Sequence, residues 1–189
     1  AEQLIRALKQ EIGIPIHFHT HDTACIQAGA VLKGAEVGLD IADGALAPLS
    51  GLTSQPNLNS MVEMFRYTKR DSGLDAEKLD SLARYWEAVR EFYAPFETGM
   101  MASTAEVYLH EMPGGQVTNL FEQAKAVGLG HRWAEICHAY ADVNQAIGDI
   151  VKVTPSSKAV GDMAILLVSN NLSVEDMLDP AREISFPES

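Results

Sequence analysis

The sequence has little of what several large classes of protein depend on. Its two cysteines, Cys25 and Cys137, form no CxxC pair and no disulfide framework, so a reducing compartment is favoured over secretion. Lys and Arg number 14 against 26 Asp and Glu, and the net charge of −12 argues against a general nucleic-acid surface. No signal peptide is visible, and no apolar run reaches the roughly 18 residues of a membrane span. We therefore expect no nucleic-acid partner, no membrane segment and a cytoplasmic location.

The sequence also lacks the two common phosphate-binding glycine motifs, GxGxxG and GxxxxGK[ST], so nothing supports a nucleotide-binding sheet. What it has is the composition of an ordinary globular protein, with 47% hydrophobic and 21% charged residues. Its 189 residues suit one domain or part of a larger one.

Hydrophobic spacing predicts alternating helices and strands in the first quarter of the chain. A helix ending near Gly13 precedes a strand over 14–23, and a helix over 26–37 precedes a strand over 39–42. Such alternation is typical of parallel strands, either in an open doubly wound sheet or in a (β/α)₈ barrel. Two strands cannot close a barrel, so we expect the C-terminal portion of one. Amphipathic stripes farther along, including 133–147, predict mostly helix.

Three of the six histidines lie together in the stretch PIHFHTHDT at residues 15–23. In an extended chain His17, His19 and His21 project to one face, and imidazoles two residues apart can reach one metal ion. The alternative is a set of strand histidines that face solvent or bond to neighbours. Spacing does not decide which pair binds, although the carboxyl end of a barrel strand favours His19 and His21.

A second candidate site is the segment DIVKVTPSSK at residues 149–158. Its Thr-Pro pair before a helical run predicts Thr154 as the N-cap and Pro155 as the first helical residue. Capping alone would explain these residues. A helix start also offers free N–H groups, and the two serines and Lys158 add donors for a carboxylate, enolate or ureido oxygen.

Four stretches in order along the chain carry a family resemblance. They are HTHDT at 19–23, SGLTSQP at 50–56, YLHEMPGGQ at 108–116 and KVTPSSKAVGD at 152–162. Together they resemble the carboxyltransferase domain of the pyruvate carboxylase family, and the likeness continues through Ser185-Phe186-Pro187-Glu188. The resemblance implies the last strands and helices of a TIM (β/α)₈ barrel over 1–70. It also implies a mostly α-helical extension over 71–189 that funnels biotin to the barrel.

The same resemblance implies an enzyme, a biotin-dependent carboxylase of the ligase class that moves a carboxyl group from carboxybiotin to pyruvate and forms oxaloacetate. His19 and His21 would bind a divalent metal, Zn or Mn, and His17 would be structural. Thr154 would be the catalytic proton shuttle, with Ser157 and Lys158 lining the biotin pocket. Partners would be a biotin carrier domain, a biotin carboxylase domain and further copies in a homo-oligomer. A mitochondrial matrix location would fit a eukaryotic source.

The sequence departs from the family in several places. Cys25 stands where the family usually has glycine, which tolerates backbone dihedrals that cysteine does not. The aspartate and carboxylated lysine that complete the family's metal site are not in this sequence, so we expect a fragment that is inactive alone. Alternatives are an oxaloacetate decarboxylase or transcarboxylase subunit, a biotin-independent metal lyase, and a non-catalytic fragment.

Overall fold

The computed structural model describes residues 1–185, so Phe186, Pro187 and Glu188 of the last matching stretch lie outside the described residues. The chain divides into two compact units, Ala1–Thr104 and the residues from Ala105 onward, and each is described by itself. The predicted division into 1–70 and 71–189 stays a prediction.

The first unit begins with a helix-strand-helix-strand order, as the hydrophobic spacing predicts. Its helices are α1 (Glu2–Glu11), α2 (Gln27–Glu36), α3 (Leu58–Phe65) and α4 (Ala76–Tyr93), and its strands are β1 (His17–Phe18) and β2 (Ile41–Ala42). The two strands pair directly and in parallel, and α2 connects them along the chain. In this pairing His17 lies opposite Ile41. Both strands are shorter than predicted, because only these residues find ladder partners in the described part of the chain.

Helices α1 and α2 pack together in this unit. Ile5 of α1 is buried, and Gly34 of α2 allows the close approach, since a Cβ at Gly34 would lie 2.7 Å from the Ile5 side chain. Helix α4 begins at Asp75, whose carboxylate accepts the backbone N–H groups of Glu77 and Lys78. The buried apolar residues of this unit are Ile5, Val31, Ala35, Leu39, Met61, Val62 and Ala83.

The regular structure of the second unit is helical in its described residues, with turns and irregular segments between the helices. It contains α5 (Val107–His110), α6 (Gly114–Ala126), α7 (Trp133–Ala146), α8 (Ser156–Asn170) and α9 (Val174–Leu178). Helix α8 packs against α7 and α6, and its buried residues Val160, Ala164 and Leu167 lie on the stripe that makes these contacts possible. The predicted helix over 133–147 is confirmed within one residue. Cys137 is buried on the inner face of this helix.

Candidate functional site

Two histidines of the stretch at 15–23 hydrogen-bond to Asp43, a residue that the sequence pattern did not indicate. Asp43 follows β2 directly, and its backbone N–H donates to the carbonyl of Phe18 at 3.1 Å, which extends the parallel ladder. One carboxylate oxygen lies 2.7 Å from His17 Nε2 and the other lies 2.6 Å from His19 Nδ1. A carboxylate only accepts, so both imidazoles donate to it. The hydrogen bonds from His17 and then from His19 hold the pKa of the Asp43 carboxyl below its usual range.

His21 is held by the backbone instead of by a carboxylate. Its Nδ1 lies 2.5 Å from the carbonyl oxygen of Thr53, so this nitrogen carries the proton and donates it. Thr53 belongs to the matching stretch over 50–56. The structure therefore brings two of the matching stretches together at one imidazole.

His19 and His21 share the geometry of metal-binding imidazoles. Each uses Nδ1 for a hydrogen bond to a protein acceptor, and no hydrogen bond among residues 1–185 uses Nε2 of either ring. This arrangement leaves an Nε2 lone pair for a metal and fixes the ring, as in most histidine metal sites. The two ring centroids are 5.4 Å apart, with planes at 88°.

The donor set fits a divalent metal in part. Two neutral imidazole nitrogens suit Zn²⁺, Mn²⁺ and related ions. Within residues 1–185, however, no group of three His, Cys, Asp or Glu side chains could hold an ion. The described residues therefore offer two imidazoles, and the remaining ligands of a complete site would have to come from outside them.

The loop that follows the histidines is organised by Asp22, which is buried. Its backbone N–H donates to the Ser54 carbonyl at 2.7 Å, and its carboxylate accepts the N–H of Gln27 at the start of α2. The Asp22 carbonyl accepts the N–H of Cys25 at 2.9 Å, and this turn places Cys25 at a φ of 58°. The expectation that this position needs glycine-like dihedrals is confirmed.

The candidate residues of the second unit lie where the chain enters α8. Helix α8 begins at Ser156 with Pro155 as its N-cap, so the prediction that Thr154 caps the helix is wrong. The physical reason is that Ser156 closes the turn itself: its hydroxyl lies 2.6 Å from the Val151 carbonyl and accepts the Val153 N–H at 3.1 Å. The Thr154 side chain is exposed, and among the described residues no hydrogen bond holds its hydroxyl.

Ser157 and Lys158 differ in their surroundings. Ser157 is buried, and its backbone N–H donates to the Val153 carbonyl at 3.2 Å. Lys158 is exposed, and its ammonium lies 2.6 Å from the Asp162 carboxylate one turn along α8. The ammonium has three donors, so this ion pair leaves two of them for a ligand.

An ion pair missed by the sequence analysis anchors the segment before Thr154. Lys152 Nζ lies 2.6 Å from the Glu111 carboxylate and 3.7 Å from that of Asp149, and its side chain is only 17% exposed. Glu111 belongs to the matching stretch over 108–116, so the third and fourth stretches contact each other here. Lys152 and Glu111 are 41 residues apart, so no local sequence pattern predicts this contact.

A search for membrane-spanning helices finds none in residues 1–185, because no helix there is both long and apolar enough.

Comparison with known proteins gives one consistent result. The family model described as "Conserved carboxylase domain" matches residues 107–189. The chain is 46% identical over its whole length to pyruvate carboxylase of Bacillus subtilis and also 46% identical to pyruvate carboxylase 1 of Caenorhabditis elegans. It spans 16% of the length of each of these curated relatives.

Solved structures agree with this result. The carboxyl transferase domain of Rhizobium etli pyruvate carboxylase is 55% identical, with a TM-score of 0.96 over 99% of this chain and 31% of that one. The same domain solved with pyruvate and biocytin gives a TM-score of 0.97 over 99% of this chain and 32% of that one. The chain is therefore similar, along nearly its whole length, to a segment of the carboxyltransferase domain of pyruvate carboxylases.

Proposed function

We propose that this chain is the part of a carboxyltransferase domain that carries two metal-binding histidines and a proton-transferring threonine. The reaction is transfer of a carboxyl group from carboxybiotin to pyruvate, which forms oxaloacetate. The observation that carries the proposal is the hydrogen-bonding pattern that His19 and His21 share, each with Nδ1 on a protein acceptor and Nε2 available. The Rhizobium etli domain that this chain matches was solved with pyruvate and biocytin, which supports the same pair of substrates.

In this proposal β1, α2 and β2 are one β-α-β unit near the end of a TIM (β/α)₈ barrel. The parallel pairing of the two strands supports that assignment. His19 follows β1 and Asp43 follows β2, so the polar groups gather at the carboxyl ends of the strands. That is the end of such barrels where reactive groups collect.

His19 and His21 would hold a divalent metal, Zn or Mn, together with ligands from outside this chain. Such an ion would supply the positive charge that stabilises the anion formed as pyruvate loses a proton from its methyl group. His17 stays outside the ligand set in this assignment, because its Nε2 already donates to Asp43.

The Thr154 hydroxyl would move one proton between the two substrates. It takes a proton from the methyl carbon of pyruvate and gives its own to the ureido nitrogen that the carboxyl group has left, so the proton count balances. No hydrogen bond among the described residues holds this hydroxyl, so it is available for such a role. Lys158 would donate to biotin through the ammonium hydrogens that Asp162 leaves available, and buried Ser157 would form part of the pocket wall.

The partners in this proposal are the biotin carrier domain and the biotin carboxylase domain of the same enzyme, in a homo-oligomer. Location in the cytoplasm or the mitochondrial matrix is part of the same proposal. The human relative, 43% identical over 93% of this chain, is named as a mitochondrial pyruvate carboxylase.

The test is a Thr154→Ala substitution in the complete carboxyltransferase protein, assayed as oxaloacetate decarboxylation with free biotin. We expect the rate to fall by at least about 100-fold, the usual contribution of a positioned proton-transfer group. Metal content and the circular dichroism spectrum should not change, because Thr154 is exposed and is not one of the proposed metal ligands.

Two further variants make the result specific. Thr154→Ser keeps the hydroxyl and should keep most of the rate, whereas Thr118→Ala, the same substitution in α6, should leave the rate unchanged. A Thr154→Ala enzyme with undiminished transfer would overturn the proton-transfer role. A parent enzyme that cleaves a substrate without biotin would favour a metal lyase instead.

A further inference from the structure

Asp43 occupies a position in the fold that is defined by the strand register. His17 pairs with Ile41 and Phe18 with Ala42, so the next pair along the ladder is His19 with Asp43. In parallel strands, paired residues and those two positions away project to the same face. The Asp43 side chain therefore lies on the face that His17 and His19 share, and the distances of 2.7 Å and 2.6 Å confirm it.

We propose that Asp43 is a positioning residue for the metal ligand His19. It accepts the Nδ1 proton, and so it keeps the Nε2 lone pair free and fixes the plane of the ring. This inference rests on the proposed function, since it concerns how one of the two metal-binding histidines is prepared. It assigns a role to a residue outside the four matching stretches.

The need for such a residue follows from the exposure of His19. Its side chain is 56% exposed, so packing alone does not hold the ring in one orientation. A free imidazole in water carries its proton mainly on Nε2, which is the wrong nitrogen for a ligand that must bind through Nε2. A carboxylate at Nδ1 reverses that preference, and such outer partners orient the ligand in most histidine metal sites.

His17 has a defined part in the same arrangement. A carboxylate that holds one partner can still rotate, but the second hydrogen bond from His17 engages the other oxygen of Asp43. The Asp43 side chain then has both oxygens committed and one preferred orientation. His17 thus acts on His19 through Asp43, so His17 has a structural role although it is not one of the proposed metal ligands.

His21 provides an internal contrast. Its Nδ1 acceptor is the Thr53 carbonyl, a backbone group that no side-chain substitution removes. Loss of Asp43 should therefore disturb one of the two imidazoles and leave the other in place, which predicts weakened metal binding and not its complete loss.

The experiment measures Zn²⁺ and Mn²⁺ dissociation constants by chelator competition in the complete carboxyltransferase protein, for the parent and for Asp43→Asn. We expect a weakening of about 10- to 100-fold, the usual cost of losing an outer partner of a metal ligand. Asp40→Asn is the matched control, because its carboxylate contacts Lys9 and the Ile16 N–H and touches no histidine. Its dissociation constant should stay within about twofold of the parent. His17→Asn should weaken binding by less than Asp43→Asn.

A second readout measures neither activity nor metal binding. Long-range ¹H–¹⁵N spectra of the metal-free parent should show His19 with its proton on Nδ1, and Asp43→Asn should shift that proton toward Nε2. Unchanged metal affinity in a folded Asp43→Asn protein would overturn the inference and leave the proposed function standing, as would an Nε2–H tautomer at His19 in the parent. A parent that binds neither metal would overturn the proposed function and the inference with it.

Discussion

At the scale of single residues, backbone conformation explains why Cys25 is an unusual choice. Its φ of 58° lies in the left-handed region, where a Cβ collides with the following carbonyl at a cost of about 1–2 kcal/mol. The hydrogen bond from its N–H to the Asp22 carbonyl holds it there. The residue is exposed, so its side chain contributes little packing that would offset the strain.

Cys25→Gly should therefore stabilise the protein, since glycine adopts this φ without a clash. We expect a gain of roughly 0.5–1 kcal/mol in the free energy of unfolding, because part of the relieved strain is offset by the extra freedom of glycine in the unfolded chain. Urea denaturation monitored by circular dichroism measures it. Cys25→Ala removes the thiol but keeps the Cβ, so it should show no such gain. Equal stability of the two variants would contradict the explanation.

Among the site residues, the role of each histidine depends on a partner that its own stretch does not contain. The spacing of His17, His19 and His21 indicated one face and a metal site. Asp43 and the Thr53 carbonyl, both distant in sequence, occupy Nδ1 of His19 and His21, and this is why we propose Nε2 as the metal-binding nitrogen. A strand register was needed to find Asp43, and the pattern of alternating residues predicts strands without predicting their register.

At the scale of elements, the contact between α6 and α8 depends on a glycine. A Cβ at Gly161 would lie 2.8 Å from a methyl carbon of Leu120 and 2.8 Å from the Gln116 amide nitrogen. Leu120 is fully buried, so it has little room to move. The absent side chain at Gly161 allows the two helices to approach this closely.

Gly161→Ala tests this packing. Alanine favours helix over glycine by about 1 kcal/mol, but overpacking a buried contact costs about 1–3 kcal/mol, so we expect a net loss near 1 kcal/mol. The control is Gly29→Ala in α2, where nothing lies within 4 Å of the added methyl group. It should instead gain about 0.5–1 kcal/mol. A gain at both positions in urea denaturation would show that α6 and α8 can separate without cost.

The start of α8 shows how an element boundary can move by one residue. Threonine and proline at 154 and 155 satisfy the usual preferences for an N-cap and a first helical residue. The structure uses Ser156 to bond the preceding carbonyl and N–H groups instead, and the helix begins there. Thr154 and Ser156 can both bond the backbone at the start of this helix, and residue preferences at helix ends do not decide between them.

At the scale of the whole molecule, the protein carries a large negative charge and also buries a thiol and a phenol, whose ionisation burial opposes. Burial raises the pKa of the Cys137 thiol from 9.0 to about 12 and that of the Tyr140 hydroxyl from 10.0 to about 12. Both residues lie on the inner face of α7, and within the described residues the Tyr140 hydroxyl has no hydrogen-bond partner. The net charge of −12 also grows more negative as lysines lose their protons.

We therefore expect the protein to lose stability as pH rises from about 9 toward 12. In that range the unfolded chain has released protons that the folded chain still holds, so the free energy of unfolding falls as pH increases. The loss should be on the order of 2 kcal/mol near pH 10.5, measured as urea denaturation against pH. Cys137→Ala should show a shallower dependence. A Cys137→Ala slope equal to that of the parent would contradict the role of the thiol.

The sequence by itself determined the order of helices and strands, the buried face of α7, the acidic charge and the two stretches that carry the candidate site. These properties depend on local periodicity and on residue type, which a linear pattern contains. Only the tertiary structure decided that Asp43 joins His17 and His19, that Thr53 holds His21, that Lys152 pairs with Glu111 and that α8 begins at Ser156. Each of these depends on which distant groups the folded chain brings within about 3 Å, the range over which a hydrogen bond forms.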